Sequence, residues 1–286
     1  MIDRKLIGKR RTAGSLAPGA ALGPYRLEGV LGEGGMGVVY RARRDFDGSV
    51  VALKVLRPEL ASDDVYRQRF LREARVASEV EHPHLVAIVD AGEADGTPYL
   101  AAQFVAGKTL RAEIATGGPL AIDATLAMAA QVGAGLDALH ASGLVHRDVK
   151  PSNVMLDQDG RALLCDFGLA KGRAYTVLTS PGQVMGTLDY IAPELIRTGH
   201  ATGATDIYAL GCVVFECLAG APPFGGLNPF QVGVAHLEEE PPDPCERRPD
   251  APDRLSWAVL RALEKDPERR PNTATAYAHM LALAAR

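Results

Sequence analysis

Residues 25–56 read as strands, with a hairpin turn near Asp47-Gly48. Alternation along one of them places Val51, Leu53 and Val55 on one face and Ala52 and Lys54 on the other. The period then changes. Ser62 is placed to cap a helix with Asp63 and Asp64 in its first turn, where the helix dipole favours negative charge, and the helix runs to about Val80. Along it Tyr66, Phe70, Glu73, Ala77 and Val80 recur at the spacing of a single helix face. Two more strands are expected over 85–91 and 99–104. From Ala106 onward the pattern is mostly helical, with one helix ending at Ser142-Gly143. The apolar run over 207–218 is too short to span a membrane and contains Glu216, so it reads as a buried helix.

Two positions break the apolar pattern. Lys54 sits in a short apolar strand, and Glu73 sits inside an apolar helix stripe, where an unpaired charge is expensive. A Lys54–Glu73 ion pair resolves both; Glu79 and Glu81 are alternative partners with worse placement.

Composition adds limits. The chain has 286 residues, 47% of them hydrophobic and 23% charged, as in an ordinary globular protein with room for one two-lobed unit or two small domains. A net charge of -4 argues against general affinity for nucleic acid. Cys165, Cys212, Cys217 and Cys245 show no metal-ligand spacing, and a reducing cytoplasm is the expected compartment. Residues 1–22 read as a flexible basic tail: Arg4, Lys5, Lys9, Arg10 and Arg11 are interleaved with Gly, Ala and Pro, without the apolar core of a signal peptide. It is either a solvated arm or a docking or autophosphorylation segment around Thr12 and Ser15.

Three strings occur once each and in order: Gly32-Glu33-Gly34-Gly35-Met36-Gly37-Val38-Val39, His146-Arg147-Asp148-Val149-Lys150-Pro151-Ser152-Asn153, and Asp166-Phe167-Gly168. Gly32, Gly34 and Gly37 let a backbone approach phosphates with its N–H groups free. On these strings the chain resembles the protein kinases, specifically the bacterial eukaryotic-like (Hanks-type) Ser/Thr kinases, from about Tyr25 to about Met280.

The resemblance implies an α+β, two-lobed fold over 23–286, with a small β-rich N-lobe carrying one helix over about 23–105 and a larger helical C-lobe over about 106–286. It implies transfer of the γ-phosphoryl of ATP to Ser/Thr hydroxyls of protein substrates, with Mg2+ or substitute Mn2+. Asp148, Lys150, Lys54 and Glu73 are then catalytic, and Asn153 and Asp166 are metal ligands. Nucleotide binding falls to Leu31, Gly32, Glu33, Gly34, Gly35, Met36, Gly37, Val39, Ala52, Lys54, Gln103, Val105 and Met155. His146 and Phe167 pack structurally. Gly186-Thr187 and Tyr190-Ile191-Ala192-Pro193-Glu194 resemble the substrate-binding end of an activation segment, Glu194 is expected to pair with Arg270, and Asp206 to fix the catalytic-loop backbone. Thr179 is the first candidate for activating phosphorylation, ahead of Thr176 and Ser180, with Arg147 as the basic partner. The resemblance also implies a homodimer through the small lobe, as relatives often form.

Departures from the family pattern lie near the adenine site. Ala102 stands where a bulkier residue is common, Gln103 where Glu is common, and Thr109 where some relatives place a carboxylate. Either other side chains fill the space at Ala102, or an enlarged back pocket opens with the Cys165 thiol in reach. A catalytically dead scaffold of the family would lack one of the charged or glycine positions above. A small-molecule kinase would lack the pattern over 186–194.

Overall fold

The computed structural model describes residues 16–166, 188–246 and 248–286. Contacts divide them into two units: one holds the chain to Arg75 together with Ile88–Phe104, the other Val76–Ala87 and Val105–Arg286.

The first unit is built on an antiparallel six-stranded sheet. Its strands are β1 (Ala21–Leu22), β2 (Tyr25–Glu33), β3 (Gly37–Arg44), β4 (Val50–Leu56), β5 (Ile88–Ala94) and β6 (Thr97–Gln103), in spatial order β1-β2-β3-β4-β6-β5. One face buries Tyr25, Leu27, Tyr40, Val51, Leu53, Tyr99 and Ala101. Tyr25 and Tyr99 meet edge to face, 5.5 Å between centroids, and both hydroxyls donate to the Asp90 carboxylate. Residues 16–22, assigned above to the basic tail, instead join this sheet: Leu22 is buried, Gly19 N–H donates to Leu27 O, and Leu16 N–H donates to the Tyr40 hydroxyl.

Two helices follow β4, where one was expected. Pro58 sets the backbone angle of a first helical position and starts a single extra turn, α1 (Pro58–Ala61), which Ser62 ends rather than begins. The longer α2 (Asp64–Ser78) is capped by Asp63, whose carboxylate accepts the N–H groups of Val65 and Tyr66 at 3.0 and 3.1 Å. It stops two residues before Val80, and its buried positions are Phe70, Ala74 and Ala77, with Tyr66 and Glu73 half-buried.

In the second unit, residues 84–86 do not open a strand of the six-stranded sheet. They pair with Leu164, Val86 N–H donating to Leu164 O and Leu164 N–H to His84 O, each at 2.9 Å. Three short strands, β7 (Gly107–Thr109), β8 (Val154–Asp157) and β9 (Ala162–Leu164), form a second small sheet. The helices are α3 (Leu110–Gly117), α4 (Ile122–Ala141), α5 (Pro193–Thr198), α6 (Gly203–Ala219), α7 (Pro229–Glu238), α8 (Asp253–Ala262) and α9 (Ala274–Ala284). The expected buried helix is α6, opened by a Thr202/Thr205 capping box and closed by Gly220 at φ +82. Among the described residues no helix is long and apolar enough to cross a membrane.

Candidate active site

In the first unit, the β2–β3 hairpin carries the glycine string. Gly34 N–H donates to Gly37 O at 2.9 Å, and Arg57 ties the loop down, its Nε donating to Gly34 O at 3.1 Å and its N–H to Met36 O at 3.0 Å. Sequence reasoning missed Arg57, since nothing in its local pattern points back to the loop. A side chain at Gly32 or Gly34 would meet no protein atom within 4 Å, so these glycines leave a face open for close approach. Gly37 has another reason: a Cβ there would lie 2.1 Å from the Val55 carbonyl oxygen, so close packing on β4 already demands glycine.

The strand register lines up the expected nucleotide positions. Val39 faces Lys54 across β3–β4, and Ala52 faces Ala102 across β4–β6. Val39, Ala52, Lys54 and Ala102 therefore share one half-buried face, while Val51 and Leu53 point to the core. Gln103 and Leu31 are exposed and Val105 is half-buried. On α2 the Glu73 side chain is 17% exposed and accepts from Arg69 Nε at 2.9 Å. Arg69, one turn away, was not anticipated.

In the second unit, Asp206 organises the loop after α4. It is fully buried at the N-terminal end of α6, where the helix dipole favours a carboxylate. Its oxygens accept His146 N–H, Arg147 N–H and His140 Nε2, all at 2.8 Å. The pinned Arg147 adopts φ +63, a left-handed conformation rare outside glycine. His146 is buried. Its Nδ1 accepts Asp148 N–H at 3.2 Å, which assigns the proton to Nε2, 3.1 Å from Cys165 O. Burial holds its pKa below the ordinary histidine value against the carboxylates of Asp206 and Asp148. A neutral imidazole between two backbone groups is a packing element, as expected.

Asp148 is the focus of the loop. Lys150 Nζ lies 2.9 Å from its Oδ2, and Asn153 Nδ2 donates to the same oxygen at 3.0 Å and to the Asp148 carbonyl at 2.8 Å. Asn153 O in turn accepts Cys165 N–H at 2.9 Å, which brings Asp166 beside the loop; Asp166 is exposed and adopts φ +61. Met155, on β8, pairs with Thr109 and Leu163. The Thr109 hydroxyl caps α3, accepting Ala112 N–H at 3.1 Å. Phe167, Gly168, Thr176, Thr179, Ser180, Gly186 and Thr187 lie outside the described residues, as do Thr12 and Ser15.

The segment after residue 187 is anchored twice. The Arg270 guanidinium, its side chain fully buried, grips the Glu194 carboxylate at 2.8 and 2.9 Å, the expected pair, and also donates to the carbonyls of Ala204 and Glu264. The second anchor was not foreseen. Tyr190 donates to Glu216 on α6, and Arg111 on α3 donates to the Tyr190 hydroxyl at 2.7 Å and lies 3.4 Å from Glu216. Burial raises the Glu216 pKa, and Tyr190 and Arg111 stabilise its charged form. Among the described residues no three His, Cys, Asp or Glu side chains cluster as a metal site.

A protein kinase domain family model matches residues 25–282. Among curated proteins, the chain is 43% identical over 252 residues to serine/threonine-protein kinase PknE of Mycobacterium tuberculosis, covering 88% of this chain and 44% of that protein. It is 41% identical over 252 residues to serine/threonine-protein kinase PknH of Mycobacterium bovis, covering 88% and 42% respectively. The chain thus spans less than half the length of these relatives. Among solved structures, the PknI kinase domain of Mycobacterium tuberculosis matches with a TM-score of 0.76 and 34% identity, covering 95% of this chain and 100% of that one.

Proposed function

The chain belongs to the protein kinase family, and from that premise we propose that it transfers the γ-phosphoryl group of ATP to serine and threonine hydroxyls of proteins. The observation that carries this reading is Asp148, held at one oxygen by Lys150 and Asn153, in a loop whose preceding backbone is bonded to Asp206.

In the proposed reaction the acceptor hydroxyl gives its proton to Asp148. The acceptor oxygen bonds the γ-phosphorus, and the bond to the β-phosphate oxygen breaks, ADP leaving with that electron pair. Lys150 offsets charge on the transferring group. Lys54 holds the α- and β-phosphates, with Glu73 as its ion-pair partner, and the glycine loop offers its N–H groups. Val39, Ala52 and Met155 contact adenine, and Gln103 and Val105 offer main-chain polar groups. The residues fit a divalent ion of the Mg2+ class: Asn153 directs its amide nitrogen at Asp148, which leaves Oδ1 as a ligand atom, and Asp166 is an exposed carboxylate. A bound Mg2+ supplies neutralisation of phosphate charge. Thr179, with Thr176 and Ser180 behind it, takes an activating phosphate that Arg147 pairs.

The test is incubation with labelled ATP, Mg2+ and a basic test protein, followed by phosphosite mapping of the kinase itself. Asp148→Asn should lower turnover by roughly 10²–10⁴ with an unchanged circular-dichroism spectrum. Asp166→Asn and Lys54→Met should suppress it too. Near wild-type turnover in Asp148→Asn would overturn the assignment. An active enzyme without phosphate over 172–185 would remove the regulatory part.

A further inference from the structure

Lys265 lies in the chain between α8 and the turn Pro267–Arg269 and is none of the residues given a part in phosphoryl transfer. Its ammonium donates to the carbonyls of Ala235 and His236, at 3.1 and 3.0 Å, in the last turn of α7. It also lies 5.0 Å from the centroid of the Phe224 ring. These partners are all uncharged, and among the described residues no carboxylate lies within ion-pair distance of Nζ. Lys108 and Lys150, by contrast, are paired with Glu113 and Asp148.

Half-burial without a counter-ion disfavours the ammonium form. Glu240 favours the charge; Arg197 and Arg270 oppose it; burial is the largest influence and pushes the pKa down to about 8. His236, on the same turn of α7, adds no second positive charge, since burial and Lys265 keep its imidazole neutral.

We propose that Lys265 is a nucleophilic amine and a site of Nε-acylation by acyl phosphates. The neutral Nζ attacks the acyl carbon, the bond from that carbon to the phosphate oxygen breaks, phosphate leaves with the electron pair, and the surplus proton on nitrogen passes to solvent. The resulting amide is uncharged and keeps one N–H, so it can cap only one of the two α7 carbonyls and no longer places a cation over Phe224. Because α7 packs against α5 and the turn 188–190, acylation loosens the hold of α7 on both.

The experiment treats the intact chain with acetyl phosphate at pH 7.5 and follows each lysine by mass spectrometry. At that pH roughly a quarter of an amine with this pKa is neutral, against about 0.1% of an ordinary lysine. Lys108, whose side chain is 57% exposed, is the internal reference. Lys265 is expected to acetylate at least about tenfold faster than Lys108, as its larger neutral fraction outweighs its poorer access. Its rate should level off above pH 8 while that of Lys108 keeps rising. A Lys265 rate no faster than that of Lys108 would overturn the proposal. Lys265→Arg keeps a cation and two donors but resists acylation. Treated wild type should therefore lose several degrees of Tm and treated Lys265→Arg none; equal losses would place the effect at another residue and defeat the proposed consequence.

Discussion

Asp206 fixes a loop without touching a reactant. Its two oxygens serve three donors, two of them consecutive backbone N–H groups, and this holds Arg147 in a left-handed conformation just before Asp148. Asp206→Asn keeps the shape but replaces one acceptor oxygen with an NH2 group. At least one buried donor then loses its partner, at a cost of about 1–3 kcal/mol. The expected result is a lower denaturation midpoint together with at least a tenfold fall in kcat, while the KM for ATP changes little. A fall in KM-controlled rate alone would show that the loop keeps its position without this carboxylate. The catalytic string was legible residue by residue because its chemistry is local in sequence. Arg57, Arg69 and Arg111 were not, because each acts on a group that only folding or one helical turn brings near: Gly34 O, Glu73 and Glu216.

Among elements, legibility followed the strength of the periodic signal. The alternation of β4 placed Lys54 and Ala52 on the correct face, since one side of the strand is core and the other is not. The start of α2 was misplaced because Pro58 nucleates a separate turn, so Ser62 closes one helix and Asp63 opens the next. Residues 84–86 look like a strand and do pair like one, but with Leu164, a partner far away in sequence. Helix α6 was recognisable from its unbroken apolar run, yet the run does not reveal how closely its neighbour approaches. A Cβ on Gly211 would stand 2.8 Å from Ala262 Cβ on α8 and 3.0 Å from the Leu263 side chain. In an exposed helix, Gly to Ala would stabilise by up to about 1 kcal/mol. Here overpacking of about 1–3 kcal/mol should win. Gly211→Ala is therefore expected to lower Tm; a higher Tm in a thermal melt would mean that α6 and α8 separate readily.

At the scale of the whole molecule, the kinase class could be read from the three ordered strings, whereas the response to acid depends on burial that only the fold creates. Three histidines are held neutral: His82 and His146 chiefly by burial, and His236 by burial and by Lys265, to a pKa of about 3. Each has a folded pKa below its unfolded value of about 6.5. Above that value both states are neutral at these sites and the native fold keeps its full stability. As pH falls through 6.5 the unfolded chain takes up protons that the folded chain refuses, so stability is lost until the folded pKa is reached. For His236 that window runs from about 6.5 to about 3, and its ceiling is on the order of 5 kcal/mol. The exposed, arginine-bonded Asp47 and Asp250 have lowered pKa values, so their contribution is lost only below the ordinary carboxylate range. Urea denaturation at pH 7.5, 6.0 and 4.5 should show stability falling across the histidine window before Asp47 and Asp250 titrate. His236→Phe removes the largest of these groups and should flatten the slope by up to one proton, about 1.4 kcal/mol per pH unit. An unchanged slope in that variant would mean that the Tyr208–His236 contact at 2.8 Å opens to water before the molecule unfolds.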